Sequence, residues 1–201
     1  MVCKLDFEKA YEMVDCNFLQ YMLTRMGFGA KWRKWIHCCI SSSHFSILVN
    51  GSPKGYFKSS RGLRQGDPLS PMLFDIVAKA LHALLEKAKH KNLVKGFAVE
   101  NANIEVTHLQ FADDTILFCG ASLDHLQNLR CILKCFEFLS SLKINYDKCE
   151  LIGVRTESSH IAFLANVFGC KVGKLPSKYL GIPLCLGFPK KHLWDSVVER
   201  I

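Results

Sequence analysis

The run Val106-Thr107-His108-Leu109-Gln110-Phe111-Ala112-Asp113-Asp114-Thr115-Ile116-Leu117-Phe118-Cys119 reads as two strands meeting at a tight turn, with two adjacent carboxylates at the tip. At about 4 Å and an effective dielectric near 20, two like charges cost on the order of 4 kcal/mol. A fold tolerates this where the acids are solvated, where one is protonated, or where a divalent cation lies between them. Aspartate is common in turns, so a solvated turn is the commoner reading of the dipeptide by itself.

A second acid changes the weighting. In Leu5-Asp6-Phe7-Glu8-Lys9-Ala10-Tyr11, Asp6 ends a short apolar strand (Val2 to Phe7) just before a helical segment. A strand end beside a hairpin tip brings three carboxylates together. Oxygen-only ligands of that kind suit Mg²⁺, which keeps waters and takes phosphate oxygens as its remaining ligands. Two such ions stabilise both the attacking and the leaving oxygen of a phosphoryl transfer. Arg61-Gly62-Leu63-Arg64-Gln65-Gly66-Asp67-Pro68-Leu69-Ser70-Pro71 is a basic, glycine-containing loop opening into a helix. It allows close backbone approach to a nucleotide, although a plain capped loop reads the same way.

The spacing predicts a helix from Asp15 to Met26, with Asp15 as N-cap and Gly27 as stop. A basic helix over Lys31 to Ile40 follows, and its period puts Trp32, Trp35, Ile36 and Cys39 on one core-facing stripe. His44 to Asn50 and Tyr56 to Ser59 form a hairpin around Asn50-Gly51-Ser52-Pro53. A long helix runs from Ser70-Pro71 towards Lys87 on Leu73, Phe74, Val77, Ala80, Leu81, Leu84 and Leu85. Another, from Ser122 to about Leu142, turns Leu126, Leu129, Leu133, Phe136 and Leu139 inward. Strands at Glu150 to Val154 and Lys178 to Leu184 flank a helical patch around Ile161 to Phe168. The expected class is α+β, a small antiparallel sheet covered by helices.

With 49% hydrophobic and 22% charged residues in 201, the chain can build a core. A net charge of +8 and a pI near 9.0 favour an acidic polymer as partner. The ten cysteines show no Cys-x-x-Cys and no paired Cys/His cluster, so reduced core thiols in an intracellular protein are expected. Cys131 and Cys135 sit one turn apart in an apolar stripe. The start lacks a signal peptide's apolar stretch and no run approaches the ~18 apolar residues of a membrane span, so no membrane partner is expected.

These motifs, in this order, resemble those of the reverse transcriptases of non-LTR retrotransposons, the long interspersed elements of plant genomes in particular. Leu5 to Tyr11 is similar to the first catalytic motif, Gly62 to Pro71 to the second and Phe111 to Asp114 to the third. Leu142 to Leu151 is similar to the fourth, and Tyr179-Leu180-Gly181-Ile182-Pro183-Leu184 to the fifth, the primer grip. The resemblance implies a polymerase palm over residues 1–201, with the primer grip ending at about 184, the fingers truncated and the thumb absent or partial. It implies that Asp6 and Asp113 are the principal metal-binding acids and Asp114 the third of the triad, holding two Mg²⁺ for which Mn²⁺ can substitute.

By the same resemblance, Tyr11 lies under the sugar and disfavours ribonucleotides, while Arg64, Gln65 and Gly66 meet template and incoming nucleotide. Lys148 falls where a proton donor to the departing pyrophosphate has been placed, and Tyr179, Leu180 and Gly181 grip the primer. The implied partners are an RNA template, a DNA primer and deoxynucleoside triphosphates. The alternative is an inactive retroelement relic, a basic palm-like domain that binds nucleic acid weakly. Two positions depart from the family: Glu12 stands for a common Asp, and Cys16 for a common Trp. Replacing a buried Trp by Cys would cost roughly 3–5 kcal/mol.

Overall fold

The computed structural model describes residues 1–42, 44–58, 61–99, 104–187 and 190–199. In chain order the first strands are β1 (Val2–Leu5), β2 (Phe7–Glu8), β3 (His44–Val49), β4 (Ser52–Lys58), β5 (Phe97–Val99) and β6 (Ile104–Val106). They are followed by β7 (His108–Phe111), β8 (Asp114–Phe118), β9 (Lys143–Ile144), β10 (Glu150–Ile152), β11 (Lys171–Gly173), β12 (Ser177–Tyr179) and β13 (Ile182–Leu184). The helices are α1 (Ala10–Met13), α2 (Cys16–Arg25), α3 (Ala30–Ser41), α4 (Ser70–His90), α5 (Leu123–Ser140), α6 (Ser158–Phe168) and α7 (Asp195–Val198). Two compact units result: Met1–Phe7 with Leu84–Leu133 and Ile144–Ile201, and Glu8–Ala83 with Lys134–Lys143. No described helix is long and apolar enough to cross a membrane.

The first unit is built on a five-stranded sheet in the order β11-β10-β1-β8-β7. β1 is central and runs antiparallel to both neighbours, with Leu5 opposite Thr115 and Val2 opposite Ile152. Its apolar run suits a strand covered on both faces. Val2, Ile116 and Ile152 share one face, packed by Leu175, Tyr179 and Leu184 from the β12–β13 region. Cys3, Leu117 and Leu151 point the other way and are fully buried. The single strand expected over Lys178 to Leu184 is in fact this hairpin, turning at Leu180 (φ +51°) and Gly181 (φ +80°). The strand expected to reach Val154 stops at Ile152. β10 and β11 pair in parallel, because α6 makes the crossover between them.

In the second unit Asp15 caps α2 as expected, its carboxylate accepting the Phe18 N–H at 2.7 Å. α2 and α3 are joined by Arg33, whose guanidinium donates to Thr24 Oγ1 at 2.6 Å. The α3 stripe is corrected by the structure. Ile36 alone is buried, Trp32 stacks on Phe28 at 4.5 Å, and Trp35 is 56% exposed beneath Lys31 Nζ. Cys39 is exposed as well. A stripe on a helix packed along one line only cannot bury every apolar position. β3 and β4 form the expected hairpin, turning at Asn50 and Gly51 with φ of +51° and +78°. Ser59, expected to end the returning strand, lies outside the described residues.

α4 buries Leu73, Phe74, Val77, Ala80, Leu81 and Leu85 as its period requires. α5 buries Leu126, Leu129, Leu133 and Phe136, but Leu139 in its last turn is exposed. Cys131 and Cys135 are exposed rather than core residues, as are Cys38 and Cys39. Cys3, Cys119 and Cys149 are buried. Cys16 is only half-buried at the first position of α2, so the full cavity cost of a lost Trp does not arise there.

Candidate active site

In the first unit, β7 and β8 close the hairpin with Phe111 opposite Asp114, leaving Ala112 and Asp113 as the turn. Ala112 has φ +49°, a left-handed conformation that costs a residue with a Cβ roughly 1–2 kcal/mol. Asp6 follows Leu5, the last residue of β1 paired with β8. One step past that pair, Asp6 and Asp114 stand at the same end of the two strands, with Asp113 at the adjoining tip. Asp6 is half-buried, and Asp113 and Asp114 are exposed. Among the described residues no three His, Cys, Asp or Glu side chains converge into a cation-ready group. Neighbouring carboxylates repel one another and stay apart unless positive charge lies between them.

The segment carrying Lys148 is tied to the backbone of Asp6. Asn145 N–H donates to the Asp6 carbonyl at 2.8 Å, and the Asp6 N–H donates to Cys149 Sγ at 3.4 Å. Lys148 itself is exposed on the intervening turn. The β12–β13 hairpin meets the acids from another side. The Tyr179 hydroxyl donates to the Asp114 carbonyl at 3.1 Å, within 3.5 Å of that of Leu109. Burial, and then the charge of Asp114, raise the Tyr179 pKa above its ordinary value, so the phenol keeps its proton. Lys4 Nζ holds the same hairpin through the Lys178 carbonyl at 3.1 Å. Leu180 is exposed and Gly181 half-buried at the turn. Sequence reasoning missed the Tyr179 contact, since no local pattern links positions 65 residues apart.

The remaining candidates belong to the second unit. Tyr11 is half-buried in α1, its ring stacked on Phe74 at 4.9 Å. The basic loop is bound to the same segment: Leu63 N–H donates to the Tyr11 carbonyl at 2.6 Å, and Gly62 N–H to that of Val14 at 2.9 Å. Arg64, Gln65 and Gly66 are exposed, with Gly66 at φ +84°. A cavity of about 600 Å³ opens beside them, lined by Glu12, His44, Arg61, Arg64, Gln65 and Ser70 among others. That volume lies within the range of small-molecule sites. Asp67 caps the loop, its carboxylate accepting the Leu69 N–H at 2.9 Å.

Residues 1–184 match the family model for "Reverse transcriptase (RNA-dependent DNA polymerase)", a match that ends with β13. The chain is 28% identical over 193 residues to a Pol polyprotein from the type-2 retrotransposable element R2DM of Drosophila melanogaster. That alignment covers 90% of this chain and 17% of the polyprotein. A mitochondrial protein of Arabidopsis thaliana is 46% identical over 74 residues, covering 36% of this chain and 61% of that one. Among solved structures, the apo telomerase of Candida tropicalis superposes with a TM-score of 0.57 at 16% identity. It matches 78% of this chain and 31% of the telomerase chain, a likeness of fold.

Proposed function

Because this chain belongs to the reverse transcriptase (RNA-dependent DNA polymerase) family, we propose that it is the palm of an RNA-directed DNA polymerase using a two-metal mechanism. The observation that carries this reading is the strand register that brings Asp6 to the end of β1 beside the Asp113-Asp114 tip. The donor set is hard carboxylate oxygen, which fits Mg²⁺ or Mn²⁺. Asp6, Asp113 and Asp114 would hold the ions, which supply charge stabilisation to the phosphates. The reaction is attack of a primer 3′-hydroxyl on the α-phosphate of a deoxynucleoside triphosphate, with pyrophosphate leaving. Lys148 gives a proton to that leaving group. Tyr11 closes the sugar side, Arg64, Gln65 and Gly66 hold nucleotide and template, and Tyr179, Leu180 and Gly181 present the primer.

A non-catalytic relic, a basic palm-like domain that binds nucleic acid weakly, is the competing reading. Primer extension on an RNA template with Mg²⁺ or Mn²⁺ separates the two. We expect extension in the native chain and a loss of at least about a hundredfold in Asp113→Asn, with the thermal midpoint unchanged, because electrostatic stabilisation of phosphoryl transfer is of that order. Extension that survives Asp113→Asn refutes the two-metal assignment. No extension with salt-sensitive RNA binding retained assigns the chain to the relic.

A further inference from the structure

Between Cys16 and Gly66 there is no Asp or Glu, yet these 51 residues carry eight Lys and Arg. The other 150 residues balance 18 Lys and Arg against 18 Asp and Glu, so the whole net charge of +8 originates in this one stretch. All of it lies in the second unit. It includes the β3–β4 ribbon, every residue of which is exposed. A two-stranded ribbon is marginal by itself in water, and a cluster of exposed aromatics marks a binding surface.

The register resolves which side chains share a face. His44 pairs with Lys58 and Phe45 with Phe57, and a bulge follows between Phe45 and Ile47. The His44 and Tyr56 rings lie 4.9 Å apart and within 6° of parallel on the face that Lys58 also occupies. Tyr56 is 80% exposed, and the His44 ring is fixed by a 2.9 Å contact between Nδ1 and the Ser42 carbonyl. We propose that the His44–Tyr56 pair is a stacking platform for unpaired bases and that Lys58 takes the adjoining phosphate of a single RNA strand. Stacking faces beside cations are what sequence-tolerant single-strand binding uses. A protein partner fits less well, since Lys is depleted from protein interface cores and this ribbon places Lys54 and Lys58 among its aromatics.

The platform states where the template strand is held and so rests on the polymerase reading; a binding readout without nucleotide incorporation keeps the two separable. The full chain is titrated into a fluorescent single-stranded RNA of about 20 nucleotides, without triphosphates, over a range of salt. Tyr56→Ala is expected to weaken binding about tenfold, the loss of one base stack. Lys58→Ala is expected to reduce the slope of log affinity against log salt by about 0.7, one phosphate contact on a single strand. Phe163→Ala, which removes an exposed aromatic of α6 in the other unit, is expected to bind like the native chain. Both ribbon side chains are exposed, so neither variant tests folding, and unchanged circular dichroism is the check. Unchanged affinity and slope in both variants overturn the proposal, as does equal affinity for blunt duplex RNA. Loss in Tyr56→Ala of a dimer seen by sedimentation, with RNA affinity intact, also overturns it and gives the ribbon to a second copy.

Discussion

Tyr179 holds the carbonyl oxygen of Asp114, a residue at the closing pair of the β7–β8 hairpin, while Ala112 beside it occupies a strained φ. A strained turn stays in place only when its surroundings over-determine it. Tyr179→Phe keeps the ring packed against Val2, Ile116 and Ile152 and removes only the hydroxyl. One neutral hydrogen bond is worth about 1 kcal/mol, so turnover in primer extension is expected to fall roughly fivefold with little change in triphosphate KM. Faster amide exchange at Asp114 and Thr115 should accompany it; unchanged turnover and exchange would remove Tyr179 from the site. The placement of Asp6 and Asp113-Asp114 is legible in the sequence, because they stand where apolar strand patterns end. The hydroxyl contact is not, since it depends on how a later hairpin packs across the sheet.

At the scale of elements, the loop between β4 and α4 depends on two glycines in the same left-handed region but in different surroundings. Gly62 has φ +88°, and a Cβ there would meet the Glu12 carbonyl oxygen at 2.5 Å. Gly66 has φ +84° and open space around it. Gly66→Ala therefore carries the backbone strain alone, about 1 kcal/mol, and Gly62→Ala adds a clash with backbone, for about 3 kcal/mol in total. Urea unfolding midpoints distinguish them; equal losses would show that Glu12 yields to the added methyl. Helices and hairpins are legible in sequence where one face is buried, as in α4, or where a turn has its own chemistry, as at Asn50-Gly51. They are not where burial depends on neighbours: Trp35, Leu139, Cys131 and Cys135 follow an apolar period yet face outward. The parallel β10–β11 pair is invisible too, because strand direction is set by the α6 crossover.

Over the chain as a whole, stability is expected to decline on the alkaline side. Burial pushes the Cys119 thiol, and that of Cys170, up to about 11, and Cys3 is raised well above the ordinary thiol value. A thiol whose pKa is raised by folding contributes nothing to pH dependence below about 9. Above that the unfolded chain ionises first, so stability should fall from about pH 9 to pH 11. Denaturant midpoints recorded across that window check the sign; a flat profile would mean that the buried thiols are solvated. The same burial divides the cysteines by reactivity. Cys38, Cys39, Cys131 and Cys135 are open to a thiol reagent at once, whereas Cys3, Cys119 and Cys149 wait until β1 and its neighbours part. The slow phase of labelling is thus a clock built into the protein, timing how often the strands beneath the acids come open.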